Sequence, residues 1–232
     1  MIIFWGFLAY LLILMGIGVL VNRLLLPVFG RGWRLFVAPG VIAHELTHAL
    51  MCVVTGAPVM DINFWKSSGG HVLHGPPRIH IIGPVLISFA PLLLMTLAMF
   101  MFVPILSPAL ADLPWVQVVP TSLSQLLSGY LTSLAEAVTS FDWTSPTPWL
   151  LSYAMLNVAV TIAPSTVDLT NVRWAFVAFV LIAATLARLI AIPISVAVLW
   201  PPAATSLILL GMTLVAALLI RAVFQVIRVK IV

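Results

Sequence analysis

Apolar residues fill six long segments of this chain, and shorter polar stretches separate them. Each segment is about 20 residues long, the length that an α-helix needs to cross the hydrocarbon core of a bilayer. Arg188 and Pro193 interrupt the fifth segment. The pattern therefore predicts about six transmembrane helices, at about 2–22, 35–55, 80–104, 148–167, 174–198 and 204–226.

The stretch at about 57–78 has a different pattern. Apolar and polar residues alternate in part on both sides of Lys66-Ser67-Ser68-Gly69-Gly70. Alternation is typical of short strands, and a Ser- and Gly-rich stretch between two strands is typical of a turn. The sequence therefore predicts a small β-hairpin that directly follows the second apolar segment.

The stretch at 106–147 contains no Lys or Arg. Ser122 followed by Gln125 is typical of a helix that begins with a capping box. The face opposite the apolar stripe carries Ser, Thr, Gln125 and Glu136. We therefore expect an amphipathic helix at about 122–140, which lies on the membrane surface or covers the helix bundle. Its apolar stripe comprises Leu123, Leu126, Leu127, Tyr130, Leu131, Leu134 and Val138.

Composition supports a membrane protein. Hydrophobic residues make up 63% of the 232 positions and charged residues only 7%, whereas a soluble domain has roughly 25% charged residues. The net charge of +4 is spread thinly along the chain and does not favour a nucleic-acid partner. We therefore expect an all-α polytopic membrane protein, a single domain over 1–232, whose surroundings are the lipid bilayer.

The distribution of basic residues predicts the orientation, because cytoplasmic loops are enriched in Lys and Arg. A cytoplasmic N-terminus places the larger basic group inside the cell, and we expect this arrangement in the cell membrane. The inner group is then Lys66, Arg78, Arg173, Arg221, Arg228 and Lys230, and the outer group is Arg23, Arg31 and Arg34.

The second apolar segment contains His44-Glu45-Leu46-Thr47-His48, an H-E-x-x-H motif. On a helix, residues four apart lie on one face, so both imidazoles can bind one zinc ion. The zinc lowers the pKa of a water molecule toward 7, and Glu45 is placed to accept its proton. Charged groups at mid-membrane cost roughly 2.5–3.5 kcal/mol each on insertion, which favours a function for them.

A catalytic zinc needs a third protein ligand. Asp168 follows Pro164 at the end of a strongly apolar segment, where the proline favours an unwound backbone. The alternative for Asp168 is a solvated helix end or a helix N-cap. Another alternative for the third ligand is Glu136. The acidic residues besides Glu45 are Asp61, Asp112, Glu136, Asp142 and Asp168.

These residues resemble the site-2 protease family of intramembrane zinc metalloproteases, as a divergent member. That family pairs an H-E-x-x-H helix with an aspartate on a later, partly unwound span, and Asp168 is similar to this aspartate. Its metal helix is followed by a hairpin with a Gly-Gly-aromatic-Val strand, to which Gly69-Gly70-His71-Val72 is similar. The resemblance implies zinc as cofactor and proteolysis of membrane proteins.

The expected reaction is hydrolysis of a peptide bond in or near a transmembrane segment of a substrate protein. Val72 on the second hairpin strand is our candidate for an edge that binds an extended substrate by strand addition. Asn157 either hydrogen-bonds the substrate backbone or a neighbouring helix. Cys52 is expected to pack as a small apolar residue. The alternative function is a metal-binding membrane protein or transporter without hydrolytic activity.

Overall fold

The computed structural model describes residues 2–30, 32–66, 69–80, 82–106, 112–140, 144–162 and 196–231, with single residues 110, 142, 177, 181 and 185. This part of the chain is mostly helical and contains one two-stranded antiparallel sheet. The elements are α1 (Ile2–Phe29), α2 (Gly32–Phe36), α3 (Ala38–Thr55), β1 (Val59–Lys66), β2 (Gly69–His74), α4 (Gly83–Ser88), α5 (Ala90–Leu106), α6 (Pro114–Gln117), α7 (Leu123–Ser140), α8 (Pro146–Thr161) and α9 (Val196–Ile231).

The predicted hairpin is confirmed as β1–β2, and a helix, α7, occupies the position of the predicted amphipathic helix. The part of the chain that the structure describes does not contain six helices of spanning length. Among the described residues, two helical stretches are long and apolar enough to cross a membrane, Leu8–Phe29 and Leu199–Ile227. Two shorter apolar stretches, Ala90–Met101 and Trp149–Thr161, match the third and fourth predicted segments. The fifth segment lies almost entirely outside the described residues.

Prolines and glycines explain where several helices begin and end. Pro39 occupies the first turn of α3, where a missing backbone N–H costs no hydrogen bond. Gly56 ends α3 with φ of 72°, a left-handed conformation that glycine adopts without strain. Its N–H donates to the Val53 carbonyl, and the next N–H donates to the Cys52 carbonyl at 2.8 Å. These hydrogen bonds end α3, and the chain continues directly into β1.

Helices α1, α8 and α9 pack against one another, and α3 packs against α4, α5 and α8. Close backbone approach holds α1 to α8, because a Cβ atom at Gly18 would lie 1.7 Å from the Ala159 carbonyl oxygen. A buried hydrogen bond of 2.8 Å between the Tyr10 and Ser206 hydroxyls joins α1 to α9. Both strands of the hairpin contact α3. The motif helix therefore lies between the bundle and the hairpin.

Helix α7 packs through small residues and only part of the predicted apolar stripe. Ser133 and Ala137 are buried, and Tyr130 is half-buried against α9. The first turn contains half of the predicted capping box, since the Gln125 N–H donates to Ser122 Oγ but Gln125 Oε1 accepts from Thr121. Most of the predicted apolar stripe stays exposed, including Leu123, Leu127, Leu131 and Val138.

Candidate metal site

The H-E-x-x-H motif lies in the middle of α3, and its three key side chains are buried. His44, Glu45 and His48 are 9%, 5% and 6% exposed. The spacing of four residues places both rings on one face, where His44 Nε2 and His48 Nε2 are 3.2 Å apart. The opposite face of α3 carries exposed apolar side chains, including Leu46, Leu50, Val53 and Val54.

The other ring nitrogen of His44 is hydrogen-bonded to the end of α8. His44 Nδ1 donates to the Thr161 carbonyl oxygen. Thr161 is the last residue of α8, and the final carbonyls of a helix commonly accept side-chain donors. Because a carbonyl oxygen only accepts, the hydrogen of the neutral ring is assigned to Nδ1.

His48 is held in the same way by α4. Its Nδ1 donates to the Ile87 carbonyl oxygen at 2.7 Å. The helical donor for that carbonyl would be the backbone nitrogen of residue 91, which is proline and has no N–H. Pro91 therefore leaves the Ile87 carbonyl without its α-helical donor, at the short break where the Phe89 N–H points to the Ile87 and Val85 carbonyls.

These two contacts determine what the facing nitrogens can do. With hydrogen on each Nδ1, each neutral ring presents an unprotonated Nε2 with a lone pair. Two lone pairs at 3.2 Å repel each other unless a cation, either a proton or a metal ion, lies between them. Two nitrogen ligands of one tetrahedral zinc ion, at about 2.0–2.1 Å from the metal, are about 3.3–3.4 Å apart. The pair therefore fits two zinc ligands with their outer hydrogen bonds already in place.

Glu45 is enclosed by the hairpin. A Cβ atom at Gly70 would lie 2.5 Å from Glu45 Oε1 and 2.6 Å from its Cγ. The backbone of β2 thus lies directly against the carboxylate side chain. Any other residue at position 70 would displace the Glu45 side chain.

Asn157 joins α8 to the beginning of α3. Its Oδ1 accepts from the Gly40 N–H at 3.0 Å, and its Nδ2 donates to the Tyr153 carbonyl at 2.9 Å. Gly40 lies in the first turn of α3, where backbone N–H groups lack helical acceptors. Of the two roles considered for Asn157, these contacts support the bond to a neighbouring helix. These two hydrogen bonds fix the position of α8 along α3, and so the position of the Thr161 carbonyl relative to His44.

The other candidates lie around this centre in supporting positions. Cys52 is fully buried with Ala57 and Ile87, as expected for a packed apolar residue, and Val72 packs partly buried against this cluster. His71 Nε2 lies 3.5 Å from Asp61 Oδ2 across the hairpin, and His74 Nδ1 bonds to the Gly75 carbonyl oxygen at 2.8 Å. The two hairpin histidines therefore have separate partners.

The predicted third ligand, Asp168, lies outside the described residues, as does Pro164. Within the described residues no group of three or more His, Cys, Asp or Glu side chains could hold a metal ion. Glu136 is exposed on α7, which packs against α6 and α9. The structure therefore does not bring Glu136 to the histidine pair.

The carbonyl partners of the two histidines were not predicted from the sequence. Prolines are the one sequence feature that could have indicated these carbonyls, because Pro91 and Pro164 each remove a backbone donor near them. Comparison of the chain with protein-family models, with curated proteins and with solved structures finds no match.

Proposed function

We propose that this chain is a zinc-dependent endopeptidase that cleaves membrane proteins in or near their transmembrane segments. One observation carries the proposal: two buried imidazoles, each held through Nδ1 by a backbone carbonyl, face each other through Nε2 at 3.2 Å. Histidines that bind zinc in enzymes commonly have such outer partners, which fix the tautomer and the direction of the free nitrogen.

The motif divides the chemistry between its residues. A bound zinc ion supplies a Lewis acid that polarises the peptide carbonyl and makes a water molecule more acidic. Glu45 is one residue from His44 and three from His48 on the same helix, and its role is to accept the proton of that water and deliver one to the leaving amine.

Asp168 is the third ligand in this proposal, with Glu136 as the alternative. Asp168 follows the end of α8 by seven positions in the sequence, and α8 already contributes the Thr161 carbonyl to the site. A chain that leaves α8 beside His44 has a short path to the metal. Glu136 would have to leave the exposed surface of α7 to reach it.

The proposed setting is a lipid bilayer, with about six spans and a cytoplasmic N-terminus. The two long apolar stretches in α1 and α9 support membrane association. The outer face of α3 supports it too, because Val53 is 71% exposed and Leu50 is 54% exposed. Large contiguous apolar surfaces are rare on soluble monomers, whereas lipid tails cover them without cost.

The proposed substrate is an extended peptide segment that binds along β2. The described sheet has two strands, β1 and β2, so β2 has one edge without a strand partner in this part of the chain. Strand addition at that edge supplies main-chain hydrogen bonds to a locally unwound substrate. The Val72 side chain packs toward Cys52 and Ile87, so Val72 would contribute through its backbone.

The test combines metal analysis with a cleavage assay. Purified protein should contain about one zinc ion per chain and cut single-span substrates. Asp168→Ala should lower zinc content and activity together, whereas Glu136→Ala should leave both unchanged. The reverse pattern would identify Glu136 as the ligand. Zinc without cleavage would favour the non-hydrolytic alternative, and absence of bound zinc would contradict the proposal.

A further inference from the structure

The contact between Gly70 and Glu45 assigns the hairpin a role in catalysis as well as in substrate binding. Glu45 is on α3 and Gly70 is on β2, and the two residues are 25 positions apart in the sequence. A Cβ atom at Gly70 would overlap three atoms of the Glu45 side chain, at 2.5, 2.6 and 2.8 Å. Real Cβ atoms do not approach other heavy atoms so closely. The backbone of Gly70 therefore packs directly against the Glu45 side chain, with no room for a side chain between them.

The three overlapped atoms, Glu45 Oε1, Cγ and Cδ, all belong to a flexible side chain. A methyl group at position 70 is therefore accommodated most cheaply by rotating Glu45 about its side-chain bonds. The rotation would move the carboxylate and leave the histidine rings in place, because backbone carbonyls of α4 and α8 hold those rings independently.

We propose that Gly70 is a positioning residue: the bare backbone of β2 sets the rotamer of Glu45 and so places its carboxylate beside the two histidines. This inference rests on the proposed function of Glu45. A general base must be held within a fraction of an ångström of its productive position, and a misplacement of 1 Å costs up to about 100-fold in rate. The hairpin is then part of the catalytic site.

The experiment compares Gly70→Ala with Gly75→Ala. Gly75 serves as the control because it directly follows β2 and is also crowded, with a Cβ atom 2.8 Å from Pro58 Cγ, but its neighbours are Pro58 and Met60. Gly70→Ala should lower kcat about 10- to 100-fold, with KM and zinc content unchanged. Gly75→Ala should retain kcat within about twofold. Equal losses in both variants, an unchanged kcat in Gly70→Ala, or loss of zinc from Gly70→Ala would overturn the proposal.

A second measurement tests the contact without any activity. Gly70→Ala should lower the thermal unfolding temperature of the otherwise unchanged protein, and it should not do so when Glu45→Ala has removed the overlapping atoms. Equal shifts in both backgrounds would show that the two residues are not coupled and would overturn the proposal. Absence of cleavage by the unchanged protein would instead contradict the proposed function, while this coupling would still report on the contact.

Discussion

At the scale of single residues, Glu45 and His44 are neighbours with different expected roles. Glu45→Gln keeps the size of the side chain but removes its ability to accept a proton, so it should retain zinc and lose about 10²- to 10⁴-fold in cleavage rate. His44→Ala removes a ligand and should lose the metal as well. Zinc content and initial rates, measured on the same preparations, distinguish the two. Undiminished cleavage by Glu45→Gln would contradict the mechanism.

The residue scale also shows what the sequence was able to predict. The spacing of His44 and His48 was enough to predict two rings on one helical face, because helical geometry is local. The contacts with the Thr161 and Ile87 carbonyls could not be predicted, since these residues lie 117 and 39 positions away from their histidines in the sequence. The contact of Gly70 with Glu45 depends on tertiary folding in the same way.

At the scale of secondary-structure elements, the break between α4 and α5 is expected to control metal affinity. Pro91→Ala adds a backbone N–H that can donate to the Ile87 carbonyl and compete with His48 Nδ1. Zinc affinity should fall about 10- to 100-fold, the usual effect of losing an outer partner of a metal ligand. Competition with a chelator measures the zinc affinity of the variant and of the unchanged protein.

Pro84→Ala is the control for this prediction, because Pro84 lies in the first turn of α4, where the backbone N–H has no helical acceptor. It should leave zinc affinity unchanged. An equal loss in both variants would indicate a general effect of proline removal on α4, and an unchanged affinity in Pro91→Ala would show that the Ile87 carbonyl does not support His48.

Elements were predicted with uneven success, for physical reasons. Alternation identified the hairpin, and helical periodicity identified α7. Periodicity did not identify the face of α7 that packs, because small residues such as Gly129 and Ala137 allow close approach there. A Cβ atom at Gly129 would lie 2.2 Å from Trp115 Cδ1, so α7 approaches its neighbours closely at small residues, while Leu123, Leu127 and Leu131 stay exposed.

At the scale of the whole molecule, the orientation can be tested directly. The proposed six spans place the turn of the hairpin in the cytoplasm and the beginning of α8 outside the cell. Because Cys52 is fully buried, it should not react, and labelling can be assigned to cysteines introduced at Ser67 and at Ser145. In intact cells an impermeant thiol reagent should label Ser145→Cys and reach Ser67→Cys only after lysis. Labelling of both from one side would contradict the six-span arrangement.

The two faces of α3 have a consequence for how substrates arrive. His44 and His48 lie on one side of this helix, and Leu50 and Val53 are exposed on the other. The site is therefore separated from the surroundings of α3 by the width of one helix, about 10–12 Å with side chains. If lipid covers that outer face, as proposed, a substrate reaches the enzyme by two-dimensional diffusion in the bilayer and travels around one helix. The encounter rate would then depend on the surface density of substrate and on membrane fluidity, and dilution of the surrounding solution would not change it.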